Sequence, residues 1–429
     1  MSEYIEVIGG SQLQGEIRVS GAKNAVLPLL LASLLTSEKC IFTNVPNLDD
    51  VGLTTQILEY FGGQVERLRS QVTVTVPRLV AEEASYSLVK SLRASFWVLA
   101  PLLARGRAAR VALPGGDIIG ARPVDIHLAG LEKMGADITV KHGVVYATAL
   151  GGLKPAQIDL RFPSVGATHQ LVMAAALTPG TTVLRGVARE PEVVAVANMM
   201  VAMGADIEGA GSDTIVIRGR EQLGGAHVAV IGDRIEAGTY LLAGAVTGGS
   251  LKVSGISPSY FGHFLTLLEE MGLAISTTDD SVSVVSSGRL KPVNARTGPF
   301  PEFATDLQPL LMTALCLADG ESQIEESIYE ARFRHAAELM RMGASISIDG
   351  RTAKIKGVAS FSGAPVEAHD IRAGAGLVIA GLAAQGMTQI HEPQHIRRGY
   401  ENLEDKLRKV GARIGAKLSD PEDYMFTGC

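Results

Sequence analysis

The sequence predicts an α/β protein of two domains, each built from three copies of one βαβαββ-like repeat. Three observations lead to this prediction. A helix, glycine and strand pattern recurs six times, and each copy carries a second, more apolar helix. The 429 residues also exceed what one ordinary core accommodates. A content of 46% hydrophobic and 20% charged residues is typical of a globular protein.

The recurring pattern is the end of an amphipathic helix, a glycine and a short strand. Its first copy runs from Leu58 to Val65 and its last from Leu407 to Ile414. The glycines lie 68 to 73 residues apart, at Gly62, Gly135, Gly204, Gly272, Gly343 and Gly411. Glycine suits a helix C-cap, where the chain takes a left-handed conformation before it turns into the strand. We therefore assign these glycines a structural role and no catalytic one.

Each repeat also carries a helix that is apolar on nearly every side. The first covers Ala25–Leu35, and its counterparts begin near Arg93, Val165, Glu236, Asp306 and Arg372. Such helices must be buried, so three repeats can gather them inside a domain and leave sheets and amphipathic helices outside. We expect a discontinuous domain of residues 1–22 and 231–429, completed by the strand Ile5–Ile8. The second domain is expected at residues 23–230 and carries the loop 113–123.

Composition narrows the classes of function. A net charge of −6 gives no extended positive surface, so we expect no nucleic-acid partner. The longest apolar stretch, Ala25–Leu35, contains Pro28 and is far shorter than the roughly 20 residues that cross a bilayer, so we expect no membrane partner. The first residues lack the features of a secretory signal, which predicts a cytoplasmic protein. Cys40, Cys316 and Cys429 have no CxxC spacing, so neither a zinc site nor a disulfide framework is predicted.

The first turns of the six apolar helices hold polar side chains that a buried helix normally avoids. Helix N-termini present free N–H groups and a partial positive charge. Several of them at one cleft would bind an anion, strengthened by Lys23, Arg93 and Arg372. The alternative is that these polar residues are only N-caps, among them Ser164, Thr305 and Asp306. Their presence in all six first turns favours a ligand site.

A second polar group lies in the loop between Leu113 and His127. Its glycines and prolines indicate a long shaped loop, a lid that carries Asp117 and Arg122 over a ligand. A plain surface loop would account for the glycines but not for Asp, Arg and His among so many apolar neighbours. His127 is predicted to be a hydrogen-bonded structural histidine rather than a base.

A third polar group precedes the last helix and contains the adjacent residues Arg397 and Arg398. Adjacent arginines usually lie on a solvated face, but one that stands beside a glycine at a helix start can reach an anion. Arg332 falls at the comparable place in the preceding repeat.

At these residues the sequence resembles the UDP-N-acetylglucosamine enolpyruvyl transferases (1-carboxyvinyltransferases), over nearly the whole chain. The matching motifs are Gly21–Ala25, Arg93–Ser95, Gly120–Asp125, Ser164–Thr168, Arg189–Glu192, Asp233–Glu236, Thr305-Asp306 and Arg398–Glu401. The resemblance implies the two-domain inside-out α/β barrel of the enolpyruvyl transferase fold. It also implies transfer of the enolpyruvyl group of phosphoenolpyruvate to the 3′-hydroxyl of UDP-N-acetylglucosamine by addition and elimination, with release of phosphate. This is the first committed step of peptidoglycan synthesis.

The same resemblance assigns roles to individual residues. Asp306 resembles the general base that takes the proton of the 3′-hydroxyl, and Asp117 the acid that protonates C3. The expected contacts with phosphoenolpyruvate are a catalytic clamp of Lys23, Arg122 and Arg398, with Arg332 and Arg372 near the carboxylate and Asn24 beside them. The expected contacts with the nucleotide sugar are Arg93, Arg122, Pro123, Val124, Asp125, Ile126, Phe162, Ser164, Val165, Gly166, Asp306 and Ile328. No metal or organic cofactor is implied, and we expect a monomer or a weak homo-oligomer.

One departure from the family has a pharmacological consequence. Most members carry cysteine where this chain has Asp117, which keeps an acid but removes the thiol. The departure implies resistance to fosfomycin, because a carboxylate is not alkylated as a thiolate is.

Two other interpretations stay open. The sister enzyme that uses shikimate 3-phosphate shares the six-repeat fold, and six similar units would also suit a ring-shaped clamp around nucleic acid. The Gly21-Ala-Lys-Asn start and the Pro114–Asp117 loop favour the nucleotide sugar, and the acidic composition argues against the clamp.

Overall fold

The computed structural model describes residues 3–84, 86–89, 92–115, 119–120 and 123–418. These residues form two compact units. Unit 1 comprises residues 3–20, 119–120 and 232–418, and unit 2 comprises residues 21–84, 86–89, 92–115 and 123–231. Within the described ranges, no helix combines the length and the apolar character that crossing a membrane requires.

Strands make up the sheets of both units. The described residues form β1 (Glu3–Ile8), β2 (Gln14–Arg18), β3 (Cys40–Thr43), β4 (Gln64–Leu68), β5 (Gln71–Thr75), β6 (Glu83–Ala84), β7 (Ala108–Ala112), β8 (Asp137–Lys141), β9 (Val144–Thr148), β10 (Gln157–Asp159), β11 (Gly180–Arg185), β12 (Asp206–Glu208), β13 (Thr214–Gly219), β14 (His227–Ala229), β15 (Ser250–Ser254), β16 (Ala274–Thr278), β17 (Ser281–Val285), β18 (Asn294–Arg296), β19 (Glu321–Glu325), β20 (Ser345–Asp349), β21 (Thr352–Lys356), β22 (Pro365–Glu367), β23 (Met387–His391) and β24 (Arg413–Leu418).

Within the described residues these strands pair into six four-stranded sheets of one pattern. The orders in unit 2 are β14-β3-β5-β4, β6-β7-β9-β8 and β10-β11-β13-β12. Those in unit 1 are β2-β15-β17-β16, β18-β19-β21-β20 and β22-β23-β1-β24. In every sheet the first two strands are parallel and the remaining neighbours are antiparallel, as in β10, β11, β13 and β12. The sheets therefore preserve the repeat that the sequence shows.

Strand β1 lies inside the sheet of the last repeat. It pairs antiparallel with β23 and with β24, so that Tyr4 stands opposite His391 on one side and Lys417 on the other. The N-terminal strand thus takes the place that β13 or β17 fills in another sheet. The last repeat is completed by residues from the opposite end of the chain.

Helices connect these strands. The described α-helices are α1 (Lys23–Ala32), α2 (Asp49–Tyr60), α3 (Tyr86–Val89), α4 (Leu99–Pro101), α5 (Asp125–Lys133), α6 (Val165–Ala176), α7 (Pro191–Ala202), α8 (Arg234–Val246), α9 (Phe264–Glu270), α10 (Gln308–Leu315), α11 (Ala336–Arg341), α12 (Ile371–Ala383), α13 (Gln394–Arg397) and α14 (Leu403–Lys409). The shorter helical turns are the 3₁₀ helices Ser33–Leu35, Arg93–Val98, Pro258–Phe261 and Thr305–Leu307 and the π-helical turn Leu102–Gly106.

The apolar helices form the core of each unit. Every residue of α12 from Ile371 to Leu382 is buried, and α12 packs against α8 and α10 in unit 1. In unit 2, α6 is buried from Ala167 to Ala176 and packs against α4, α5 and α7. Outer strands such as β4 and β8 are largely exposed. Burial of the helices that are apolar all round follows from their sequence, and the predicted inside-out α/β class is confirmed.

The predicted C-cap glycines are confirmed as well. Gly62, Gly135, Gly204, Gly272, Gly343 and Gly411 have φ angles between +87° and +105°. A side chain at these angles strains the backbone, so glycine is required for the turn into the strand.

The second repeat differs from the regular helix that we expected near Arg93. Residues 93–106 form a 3₁₀ helix, one short α-helical segment and a π-helical turn. Pro101 lies in this stretch and lacks the N–H group that a regular helix uses.

Candidate active site

Asp306, Arg332 and Arg372 converge in unit 1. Asp306 lies in the 3₁₀ turn before α10, and Arg372 lies in the first turn of α12, which Asp370 caps. Arg332 Nη2 donates to Asp306 Oδ1 at 3.0 Å, and Arg372 Nε is 3.5 Å from Asp306 Oδ2. The side chains of the two arginines are only 3% and 4% exposed, against 27% for that of Asp306. One accessible carboxylate therefore stands beside two buried cations.

The electrostatics of this group keep both arginines charged. Burial disfavours the charge on Arg372, but Tyr400 and Asp306 outweigh that effect and raise the pKa of the guanidinium. Burial likewise opposes the charge on Arg332, yet Asp306 and Asp370 raise its pKa. The Arg372 guanidinium also lies over the ring of Tyr400, 5.3 Å from its centroid.

These arginines retain hydrogen-bonding capacity. Arg332 Nε and Arg372 Nη1 are buried and have no acceptor among the described residues. Leaving a buried donor unsatisfied costs about 1–3 kcal/mol, and more when the group is charged. An anionic ligand with several oxygens would remove that cost, so this part of unit 1 is suited to bind a carboxylate or a phosphate.

The structure distinguishes the two adjacent arginines of the third polar group. Arg397 forms two hydrogen bonds with the carboxylate of Glu3, at 2.7 and 2.6 Å, and is therefore engaged on β1. Arg398 follows α13 as its C-cap residue and is half-buried. Its neighbour Gly399 lies so close to Arg372 that a Cβ atom there would be 3.4 Å from Nη1. Arg397 is therefore held on β1, and Arg398 directly precedes a glycine that packs against Arg372.

Lys23 begins α1 in unit 2 and forms a buried ion pair that the sequence did not lead us to expect. Its Nζ lies 2.8 Å from Oδ2 of Asp50, whose side chain is fully buried. Asn24 follows on the same helix and is half-buried. Helix α1 packs against the 3₁₀ helix that begins at Arg93, which is also half-buried. The helix that starts with Lys23 thus packs against the helix that starts with Arg93.

A hydrogen-bonded histidine lies under the predicted nucleotide-sugar segment. His127 Nδ1–H donates to Gln170 Oε1 at 2.8 Å, as predicted for a structural histidine, and burial is the main cause that lowers its pKa to about 4. Trp97 Nε1–H donates to the carbonyl of Gly166 at 2.9 Å. A Cβ atom at Gly166 would lie only 3.0 Å from His127 Cε1, so glycine permits this close approach of ring and backbone.

Apart from Ile328, the remaining predicted nucleotide-sugar contacts lie in two groups at the starts of helices. At the start of α5, Pro123 and Asp125 are exposed, Val124 is buried and Ile126 is half-buried. At the start of α6, Phe162 is 42% exposed, and Ser164, Val165 and Gly166 are half-buried. Arg161 and Asp125 form an ion pair that links the two groups. Ile328 lies in unit 1 and is half-buried.

Of the three residues that could have been only N-caps, namely Ser164, Thr305 and Asp306, one is an N-cap in the structure. Ser164 accepts a hydrogen bond from Ala167 N at 3.3 Å and is an N-cap. Thr305 and Asp306 lie inside their 3₁₀ turn and make no cap. Their side chains instead contact Glu326 and the two arginines, respectively.

Two predicted site residues, Asp117 and Arg122, lie outside the described residues. Among the described ones, no group of three or more His, Cys, Asp or Glu side chains is arranged to hold a metal ion.

Several residues of these surroundings were absent from the sequence-based prediction, namely Asp50, Trp97, Gln170, Glu326 and Tyr400. Asp50 looks like an ordinary acidic residue in the first turn of an amphipathic helix, and Gln170 lies within a run of apolar residues. A polar residue inside an all-apolar helix is the one signal that would have identified Gln170.

Known proteins resemble this chain over nearly its whole length. Residues 7–407 match the family model described as EPSP synthase (3-phosphoshikimate 1-carboxyvinyltransferase). Relatives named UDP-N-acetylglucosamine 1-carboxyvinyltransferase include those of Jannaschia sp., 48% identical over 97% of this chain and 100% of the relative, and Koribacter versatilis, 49% identical over 96% of each. A third relative, UDP-N-acetylglucosamine 1-carboxyvinyltransferase 2 of Staphylococcus saprophyticus, is 47% identical over 96% of this chain and 99% of the relative.

Solved structures resemble the fold over nearly the full length. The enolpyruvyl transferase NikO from Streptomyces tendae has a TM-score of 0.87 and 27% identity, covering 98% of this chain and 100% of its own. An EPSP synthase from Acinetobacter baumannii has a TM-score of 0.75 and 20% identity, covering 97% of this chain and 100% of its own, and supports the fold alone. The resemblance drawn from the motifs is confirmed: the chain belongs to the EPSP synthase family, and within it to the UDP-N-acetylglucosamine 1-carboxyvinyltransferases.

Proposed function

We propose that the protein transfers the enolpyruvyl group of phosphoenolpyruvate to the 3′-hydroxyl of UDP-N-acetylglucosamine and releases phosphate. The observation that carries this proposal is the group of Asp306, Arg332 and Arg372, where two buried guanidinium groups with unsatisfied N–H donors flank an accessible carboxylate. Such a group suits a reaction that needs an anionic substrate and a base at one place.

Phosphoenolpyruvate supplies the acceptors that the arginines lack. Its carboxylate would take the free N–H groups of Arg332 and Arg372, and its phosphate would bind Lys23, Arg122 and Arg398, with Asn24 beside them. Charge-assisted bonds of this kind are among the strong hydrogen bonds of proteins. Asp50 holds the ammonium group of Lys23 in place before the ligand arrives.

The nucleotide sugar would be bound by the starts of α5 and α6 and by Ile328. Arg93, Pro123, Val124, Asp125, Ile126, Phe162, Ser164, Val165 and Gly166 supply those contacts in unit 2. Free N–H groups at a helix start suit the diphosphate, because they present a partial positive charge. Trp97 and His127 lie directly behind Gly166 and hold that backbone in place.

The chemistry consists of addition followed by elimination. Asp306 takes the proton of the 3′-hydroxyl as its oxygen attacks C2 of phosphoenolpyruvate, and Asp117 gives a proton to C3. Loss of a proton from C3 and of phosphate from C2 then restores the double bond. Arg332 and Arg372 beside Asp306 favour its ionised form, which is the form that a base requires.

This reaction is the first committed step of peptidoglycan synthesis, and we place the protein in the cytoplasm, where its phosphorylated substrates occur. It needs no metal or organic cofactor. We expect a monomer or a weak homo-oligomer.

Phosphate release from phosphoenolpyruvate tests the proposal, with UDP-N-acetylglucosamine or shikimate 3-phosphate as the acceptor. Release with the nucleotide sugar alone supports it. Release with shikimate 3-phosphate instead would assign the reaction named for the matching family model, and release with neither would refute both.

A further inference from the structure

We propose that Glu326 is a positioning residue that fixes the catalytic carboxylate of Asp306 and the nucleotide-sugar contact Ile328 relative to each other. The inference rests on the proposed function, since it assigns Glu326 no contact with either substrate. Glu326 follows β19 in unit 1 and is fully buried.

The carboxylate of Glu326 joins three segments of unit 1. Its Oε1 accepts hydrogen bonds from Thr297 Oγ1 at 2.9 Å, Ile328 N at 2.8 Å and Tyr329 N at 3.0 Å. Its Oε2 accepts one from Thr305 Oγ1 at 3.0 Å. All four of these donors are neutral; within the described residues no cation forms a direct salt bridge with Glu326, although the charge of the buried Arg332 also acts on this carboxylate.

Burying a carboxyl group is costly, and its hydrogen bonds offset the cost fully only when all of them are made. The conformation that satisfies Glu326 is therefore the one in which Thr305 and Ile328 both face it. Thr305 precedes Asp306 directly, and the two share a 3₁₀ turn of three residues. Holding Thr305 thus also fixes the backbone from which Asp306 reaches Arg332.

Thr297 anchors the arrangement from the other side. Its Oγ1 donates to Glu326 Oε1 and accepts from Ser327 N at 2.9 Å. Thr297 therefore holds both residues that precede Ile328. Glu326 thereby connects the proposed base Asp306, through Thr305, with the proposed sugar contact Ile328. The connection is made by hydrogen bonds of the Glu326 side chain and not by the backbone between residues 306 and 328.

Four single substitutions test this role, each measured by steady-state kinetics, by calorimetric binding of UDP-N-acetylglucosamine and by thermal denaturation. Thr305→Val keeps the shape but removes the bond on the side of Asp306, and kcat should fall about tenfold or more because a small displacement of a catalytic group is costly. The affinity for the nucleotide sugar should change less than about twofold, because Ile328 stays bound. Glu326→Ala releases both Thr305 and Ile328, and it should lower both kcat and the affinity for the nucleotide sugar. Glu326→Gln should restore most of kcat, because the amide oxygen still accepts and its NH₂ can donate to Thr305.

Thr313→Val is the matched control. Thr313 is buried in α10 and bonds to Pro309 O of its own helix at 3.0 Å, so its replacement should leave kcat and the affinity unchanged. Wild-type kcat in Thr305→Val would overturn the role of Glu326, and so would a fall in kcat that only parallels a fall in thermal stability. Wild-type protein that releases no phosphate with UDP-N-acetylglucosamine would refute the proposed function itself, and this inference with it. Should Glu326→Ala fail to fold, Thr305→Val alone decides.

Discussion

Lys23 Nζ lies 2.8 Å from Asp50 Oδ2, and the carboxylate has no exposure to solvent. Lys23 begins α1 and Asp50 lies in the first turn of α2, so the pair ties the starts of two helices together at a position proposed to bind phosphate. Removal of one partner from such a pair has consequences for folding as well as for binding.

Lys23→Ala should weaken phosphoenolpyruvate binding and also destabilise the protein by about 3 kcal/mol, because the buried Asp50 then loses the ammonium group of Lys23. Chemical denaturation measures the stability, and Lys141→Ala at an exposed lysine is the control. The double variant Lys23→Ala/Asp50→Asn should recover much of the stability but none of the affinity. If the single variant were as stable as the wild type, the ion pair would contribute nothing to folding.

Asp306→Asn should reduce kcat by at least about 10²-fold, the usual contribution of a general base. The amide cannot take the proton of the 3′-hydroxyl, although it keeps the shape of the carboxylate. Binding of UDP-N-acetylglucosamine should persist, as calorimetry would show. A variant with more than a tenth of the wild-type kcat would exclude Asp306 as the base.

Trp97 is the only tryptophan of the chain and bonds to the backbone of Gly166. Binding of UDP-N-acetylglucosamine at the start of α6 should therefore change the wavelength or intensity of tryptophan emission, whereas phosphoenolpyruvate alone should not. Trp97→Phe should abolish the signal. Calorimetric binding without any change in emission would place the nucleotide sugar away from Gly166.

Acid should destabilise unit 2 through two buried histidines. Burial lowers the pKa of His127 to about 4 and that of His169 to about 3, so the folded state binds fewer protons than the unfolded state between those values and about 6.5. Stability therefore rises with pH in this window, and each histidine should cost on the order of 2 kcal/mol when the pH falls from 7.5 to 4.5. Thermal or chemical denaturation at the two pH values measures the difference.

His169→Phe should reduce that pH dependence, because both ring nitrogens of His169 are buried without a hydrogen-bond partner among the described residues. The exposed His227 offers the control His227→Asn, which should leave the pH dependence as it is. Equal pH dependence in wild type and His169→Phe would show that His169 is not buried in its neutral form.

Fosfomycin should leave the wild-type protein active, because Asp117 offers no thiol. Asp117→Cys should become sensitive, with one molecule of the drug bound covalently to the new thiol in a mass spectrum. A covalent adduct on Asp117 of the wild type would contradict the prediction.

Features that depend on local sequence could be predicted, whereas features that depend on tertiary contacts could not. The six C-cap glycines and the buried helices follow from the chain itself, because a left-handed turn and an apolar surface are local properties. Asp50 could not be identified in this way, since a first-turn aspartate is usually solvated and only the fold buries it against Lys23. The choice between Arg397 and Arg398 likewise depends on Glu3, which lies at the other end of the chain.

The position of β1 between β23 and β24 determines when this strand can fold during translation. Apart from residues 119–120, which belong to unit 1, the described residues between 21 and 231 form unit 2, so this unit can fold while the ribosome is still translating. Residues 3–8 are made before unit 2, yet they gain their two neighbouring strands only after residues 387–391 and 413–418 have emerged. Strand β1 therefore stays unpaired until the last repeat is made, and translation products that end before residue 387 would leave both of its edges open to aggregation.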